Sequence, residues 1–137
     1  MKKLLLLCVL LISLVAKSTE KKIWFNSNQL EITSIKQACS DLQNGIEQEK
    51  MLFTFQNKTN NKLSVSFERQ LWFDNEKANQ SSTENRFVMV LEPNQTLQGN
   101  CTLKDKALVV FSKQLNVKSR QLSKLTIENI QITTLEK

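Results

Sequence analysis

The chain has 137 residues, 40% hydrophobic and 23% charged, with a formal net charge of +6. It contains no histidine, two glycines, one proline and three cysteines. That inventory removes Ser-His-Asp and Cys-His nucleophile systems, His-ligated zinc sites and glycine-rich phosphate loops from the chemistry to be expected. It points to a protein that is not an enzyme and needs no cofactor or metal.

Lys2 and Lys3 precede an apolar run from Leu4 to Leu11 that continues through Ile12, Leu14, Val15 and Ala16, and Ala16-Lys17-Ser18 supplies small residues beyond it. This order is that of a secretory signal peptide over residues 1–18, cleaved before Thr19. A membrane anchor is the competing reading, but the apolar run is short for a bilayer and charges follow it at once. Acylation of Cys8 is a third, weakened because Leu4 to Leu7 stand where small residues would be needed. Export to the periplasm or beyond follows, with membrane contact only through the leader. Residues 19–137 then form a single domain with one core. Lys2, Lys3 and Lys17 leave with the leader and no acidic residue does, so the charge falls from +6 to +3. A mixed-sign surface with that balance gives solubility and no case for a nucleic acid partner.

In the remaining chain, Leu30, Ile32 and Ile35 open a strand before Cys39. A polar segment, Ser40 to Lys50, reads as a long loop. Met51, Phe53 and Phe55 then alternate with Leu52, Thr54 and Gln56, and after an Asn-rich break Leu63, Val65 and Phe67 alternate with Ser64, Ser66 and Glu68. Two such runs across a short turn predict a β-hairpin. Asp74 to Asn85 reads as a second long loop. Phe87 to Leu91 is apolar at every position and is expected to be a central strand. Glu92-Pro93-Asn94-Gln95 turns the chain. Leu97, Gly99, Cys101 and Leu103 share one parity, which places Cys101 on the core side of a strand. Leu108 to Phe111 is another buried run, and the change of parity between Leu125/Ile127 and Ile130/Ile132 predicts a bulge at Glu128-Asn129.

About seven short strands and no amphipathic helix predict an all-β domain, an immunoglobulin-like antiparallel β-sandwich, with a small antiparallel barrel as the alternative. The immunoglobulin likeness is one of architecture, since Gly99 stands where a tyrosine corner belongs. Cys39 and Cys101 are the even pair left after Cys8, and in an oxidising compartment they predict a disulfide stapling two sheets across the core. Asn-x-Ser/Thr triplets begin at Asn57, Asn79, Asn94 and Asn100. Chance alone gives roughly two in so Asn-rich a chain, so they carry no claim of glycosylation.

Three groups of side chains could carry function. Asp41, Asn44, Glu47 and Glu49 fall in one predicted loop and Asp74, Asn75 and Glu76 in another, but neither has the spacing of a calcium loop, and solvated turns account for them. Ser112 to Ile127 holds Lys113, Lys118, Arg120 and Lys124 with no acid, a bias that fits either a solubilising loop or contact with an acidic partner. Trp24-Phe25 and Leu71-Trp72-Phe73 place aromatics side by side. Neighbours on a strand face opposite ways, so one of each group should be partly exposed: Trp72, beside the polar loop from Asp74, is a candidate anchor, and capping the end of the core is the competing role. A docking surface would require the four cations to converge near Trp72 or Trp24.

The run from Leu52-Phe53 to Phe67 and on into Gln70-Leu71-Trp72, the Leu91 to Leu97 turn leading to Gly99 and Cys101, and the stretch from Asp105-Lys106-Ala107-Leu108 to Leu115 together resemble small secreted single-domain proteins of unassigned function from flavobacterial-type Bacteroidota. Members often carry extra cysteines in the loop after the Leu-Trp pair, where Asn75 to Ser82 has none. The resemblance implies export and a one-domain β fold, and it implies no activity. The expected role is a binding or structural accessory module of the envelope or extracellular space, its partner a protein or envelope component. An inhibitor or immunity-type protein that neutralises a secreted enzyme or toxin is the alternative.

Overall fold

The computed structural model describes residues 19–79, 81 and 83–136, so the proposed leader lies outside the described residues. The described residues form nine strands and no helix: β1 (Lys22–Asn26), β2 (Leu30–Asp41), β3 (Ile46–Asn57), β4 (Lys62–Phe73), β5 (Glu76–Lys77), β6 (Arg86–Leu91), β7 (Thr96–Gln98), β8 (Val109–Gln114) and β9 (Leu122–Leu135). All pairings are antiparallel. One sheet runs β1-β2-β3, with β7 and β8 both on the far edge of β3. In the other, β4 is central, with β9 on one side and β5 and β6 on the other. The expected all-β sandwich is present. The seven runs read from the sequence fall on β2, β3, β4, β6, β7, β8 and β9, while β5, of two residues, and β1, of five with a register shift, are too short or irregular to show a period.

Strand alternation fills the core. Leu30 and Ile32 of β2, Phe53 and Phe55 of β3, and Leu63, Val65 and Phe67 of β4 are buried together. The rings of Phe55 and Phe67 stack at 5.4 Å, and those of Phe67 and Phe87 at 5.2 Å. Each such phenylalanine contributes about 2–3 kcal/mol through burial. The Phe55–Phe67 contact also corrects the predicted hairpin, because β3 and β4 belong to different sheets and face each other across the core. Two strands with one apolar face each can bury it as neighbours or as opposing layers, and a period of two cannot tell which.

The corner between the sheets is held by Asn57, which is fully buried. Its amide donates to the carbonyls of Asn61 (2.7 Å) and Glu92 (2.9 Å), while its Oδ1 accepts from the Thr59 N–H (2.9 Å) and hydroxyl (2.8 Å). Asn100 repeats the pattern with the Thr102 N–H (3.0 Å) and hydroxyl (2.9 Å). Two of the four Asn-x-Ser/Thr triplets are thus side-chain-capped turns, a structural reason for their number.

Other expectations shift. The Ser40–Lys50 loop shrinks to Leu42–Gly45, because β2 continues to Asp41 and β3 begins at Ile46. Gly45 takes the left-handed conformation there (φ 63°), and the Asp41 carboxylate accepts from Asn44. Asp74 and Asn75, both with positive φ (49° and 67°), form a two-residue turn that folds β5 back onto β4 inside the second predicted loop. β6 pairs only with β4 and is an edge strand with Val88 and Val90 65% and 46% exposed, not a central one. The bulge at Glu128-Asn129 is present, with Asn129 at φ 51° and a register shift opposite Ser66–Glu68.

β7 and β8 lie end to end along β3, and residues 100–107 leave the sheet between them. The neck of this excursion closes on Phe53, whose carbonyl accepts from Gly99 N–H (2.8 Å) and whose N–H donates to Leu108 (2.8 Å). A Cβ on Gly99 would lie 2.3 Å from the Leu108 carbonyl oxygen, a backbone atom already bonded to Phe53. Gly99→Ala must therefore open the neck. It is expected to cost about 3 kcal/mol, the upper end of overpacking. Urea unfolding checks this through a lower midpoint at unchanged slope.

Candidate binding surface

Trp72 lies on the face of β4 opposite Phe67 and Leu71 by strand parity, and it is partly exposed. Its neighbours in register are Lys77 on β5 and Lys124 on β9. The lysines therefore flank the indole from both sides, their Nζ atoms 5.8 Å (Lys77) and 4.6 Å (Lys124) from the ring. The backbone beneath is fixed. Ser123, at a register shift between Trp72 and Phe73, donates its hydroxyl to the Trp72 carbonyl (3.2 Å) and accepts the Asn75 N–H (2.8 Å). Asp74 and Gln121 exchange two hydrogen bonds, at 2.9 and 3.1 Å. Arg120 adjoins the row, its guanidinium 5.8 Å from the Phe73 ring, 3.4 Å from the Phe73 carbonyl and 3.8 Å from the Glu76 carboxylate.

Of the four cations singled out in the sequence, Lys124 contacts Trp72 and Arg120 stands beside it. Lys118 is exposed in the β8–β9 connection. Lys113 is on β8 in the other sheet, opposite Glu49. Lys77 was missed. The signal for it was the Asp74-Asn75 turn, which places residue 77 opposite residue 72. Trp24 packs inward, its Nε1 donating to Ser34 Oγ (2.8 Å) and its ring 6.0 Å from Phe53. Phe25 also packs on the core, because a register shift in β1 between Ile23 and Phe25 breaks the alternation that would have turned one ring outward.

The Cys39–Cys101 disulfide is formed, with Cα atoms 5.4 Å apart, inside the range a bridge requires. Its place differs from the expectation. Cys39 has the parity opposite to Leu30 and Ile32 in an unbroken register, so the bridge lies on the outer face of the first sheet. Gln37 and Lys50, cross-strand neighbours on that face, both reach Cys101, and Lys50 Nζ donates to its carbonyl (3.0 Å). β7 ends at Gln98, so Cys101 belongs to the excursion and not to a core-facing strand. The bridge ties the excursion to β2 over β3 and does not staple one sheet to the other.

On its other side the excursion is held by Arg69, only 4% exposed on the core face of β4. The guanidinium donates to the carbonyls of Ala107 (3.1 Å) and Lys106, and lies 4.5 Å from the Phe87 ring and 5.4 Å from Phe53. Burial pushes its pKa down to about 10, and the charge of Asp105 opposes that shift. The acidic residues of the first predicted loop are dispersed: Glu47 and Glu49 are in β3, and Glu49 accepts the Ser112 hydroxyl (2.9 Å). Among the described residues no three His, Cys, Asp or Glu side chains converge to hold a metal. No known family model, curated protein or solved structure matches this chain.

Proposed function

We propose that the protein is an exported, non-enzymatic binding or structural accessory module of the cell envelope or extracellular space. Its contact surface is the Lys77–Trp72–Lys124 row, and its partner an acidic protein or envelope component. The observation that carries this is the placement of a partly exposed indole between two lysines on a rigid strand end. An exposed lysine–indole contact is worth about 0.5–1 kcal/mol. Either ammonium can therefore turn from the ring to a carboxylate or sulfate at small cost and leave the ring free for apolar contact. The disulfide is compatible with an oxidising, exported location, and no helix among the described residues is long and apolar enough to cross a membrane.

Affinity capture from the envelope fraction of the producing cell tests the proposal, with wild-type protein and a Trp72→Ala/Lys77→Gln/Lys124→Gln variant as baits. The variant is expected to lose the captured component, and a Lys77→Gln/Lys124→Gln bait that keeps Trp72 should bind less while its melting temperature stays nearly unchanged, since exposed charges contribute little to stability. Equal capture by wild type and the triple variant contradicts it.

A further inference from the structure

Sheet edges are normally protected by bulges, lysines or brevity. β1 has a register shift and Lys22, β8 a register shift and Lys113, β9 two register shifts and Lys124, and β5 and β7 are very short. β6 has no bulge and no lysine, and its one charge, Arg86, stands at its first residue: its six residues pair with β4 in unbroken register. The Arg69 N–H donates to the Asn85 carbonyl (2.9 Å), which sets the phase of the ladder. In that phase Phe87, Met89 and Leu91 bond towards β4, and the N–H and C=O groups of Arg86, Val88 and Val90 point outward. No backbone group among the described residues bonds to that outward row.

We propose that two copies of this chain pair antiparallel along β6, about a twofold axis at Met89. The stretch Arg86-Phe87-Val88-Met89-Val90-Leu91-Glu92 is complementary to its own reverse. In this register Val88 faces Val90 of the other copy, Phe87 faces Leu91, and Arg86 faces Glu92. The phase agrees, because Val88 and Val90 then exchange main-chain hydrogen bonds on both sides of the axis, about four in all, and Met89 meets its counterpart as a non-hydrogen-bonded pair. The Glu92 backbone is already bonded to Gln95, so the ladder ends there and Glu92 offers its carboxylate, which is largely exposed beside Lys62. Val88 and Val90 lose their exposure to each other, and the core-side residues Phe87 and Leu91 extend the apolar layer across the seam. Edge pairing widens the sheet and leaves its outer face open.

Light scattering on purified protein across a concentration series is expected to show a monomer–dimer equilibrium. Arg86→Glu and Glu92→Arg each place like charges opposite one another at both ends of the seam and should weaken dimerisation about tenfold or more. An equimolar mixture of the two variants restores both opposite-charge pairs and should dimerise as well as wild type. Recovery on mixing also shows that each variant is folded. Met89→Cys should give an oxidised, covalently linked dimer, because the axis brings the two copies of residue 89 together, and Val88→Cys should not. A wild-type protein that stays monomeric at millimolar concentration overturns the proposal. So do single variants that dimerise like wild type, a mixture that stays monomeric, or a Met89→Cys protein that does not cross-link.

Discussion

Replacing Cys39 and Cys101 together by serine is expected to lower the free energy of unfolding by about 4 kcal/mol, the chain-entropy value for a loop of this length. The bridge spans 62 residues, half of the domain, and so restrains much of the unfolded chain. The folded state loses little, because the excursion keeps its other attachments: the neck at Gly99 and Leu108, the Asn100-capped turn and the two carbonyls held by Arg69. The variant should fold with an unchanged far-ultraviolet spectrum, a lower urea midpoint and a steeper slope, as the unbridged denatured chain expands. A loss below about 1 kcal/mol would show that the bridge does not constrain the unfolded state in this way.

Arg69→Ala is expected to cost a similar amount, about 4 kcal/mol, by a different route. It strands the buried Ala107 carbonyl, at about 1–3 kcal/mol for an unsatisfied buried group, removes the part-buried bond to the Lys106 carbonyl, and leaves a void between the Phe53 and Phe87 rings. Arg69→Met refills the void and should recover about half of the loss, since only the carbonyls remain unpaired. The guanidinium's pKa is lowered by burial to about 10, well below its value in the unfolded chain. Between those values the unfolded chain binds the extra proton, so this group's contribution to stability rises with pH across that window and is flat below it. The stability difference between wild type and Arg69→Met should accordingly not change from pH 5 to pH 9. Parallel urea titrations at those pH values check both the ranking and the flat difference.

Much of the core was legible because alternation reports burial directly: Phe53, Phe55, Leu63, Val65 and Phe67 were assigned to one face, and that face is the interior. What alternation does not report is partnership. β3 and β4 looked like a hairpin because each has one apolar face, and only Asn57, whose bonds tie two turns together, reveals that the chain changes sheets between them. β6 looked central because Val88 and Val90 are apolar, yet they face solvent. Arg69 was overlooked although it holds an apolar parity between Phe67 and Leu71, where a charge in the pattern marks a buried tie. Cys101 was misplaced for a related reason, because Leu97 to Leu103 keep a strand's period after the strand has ended. At the candidate surface, Trp72 and Lys124 could be named from the sequence. Lys77 was not, because its place beside the indole follows only once Asp74-Asn75 is taken as a two-residue turn with positive φ, and the segment was read as a long loop.

The proposed binding surface is tested most directly by titrating the protein with an acidic polymer, polyglutamate in one series and a sulfated glycan in another, in a Trp24→Phe background. Trp72 is then the sole indole, and its emission reports on the row itself. A saturable change in emission is expected, weakened by added salt as for any exposed charge contact and abolished by Lys77→Gln/Lys124→Gln. An emission that does not respond to either polymer, or a response that survives removal of both lysines, would contradict the account.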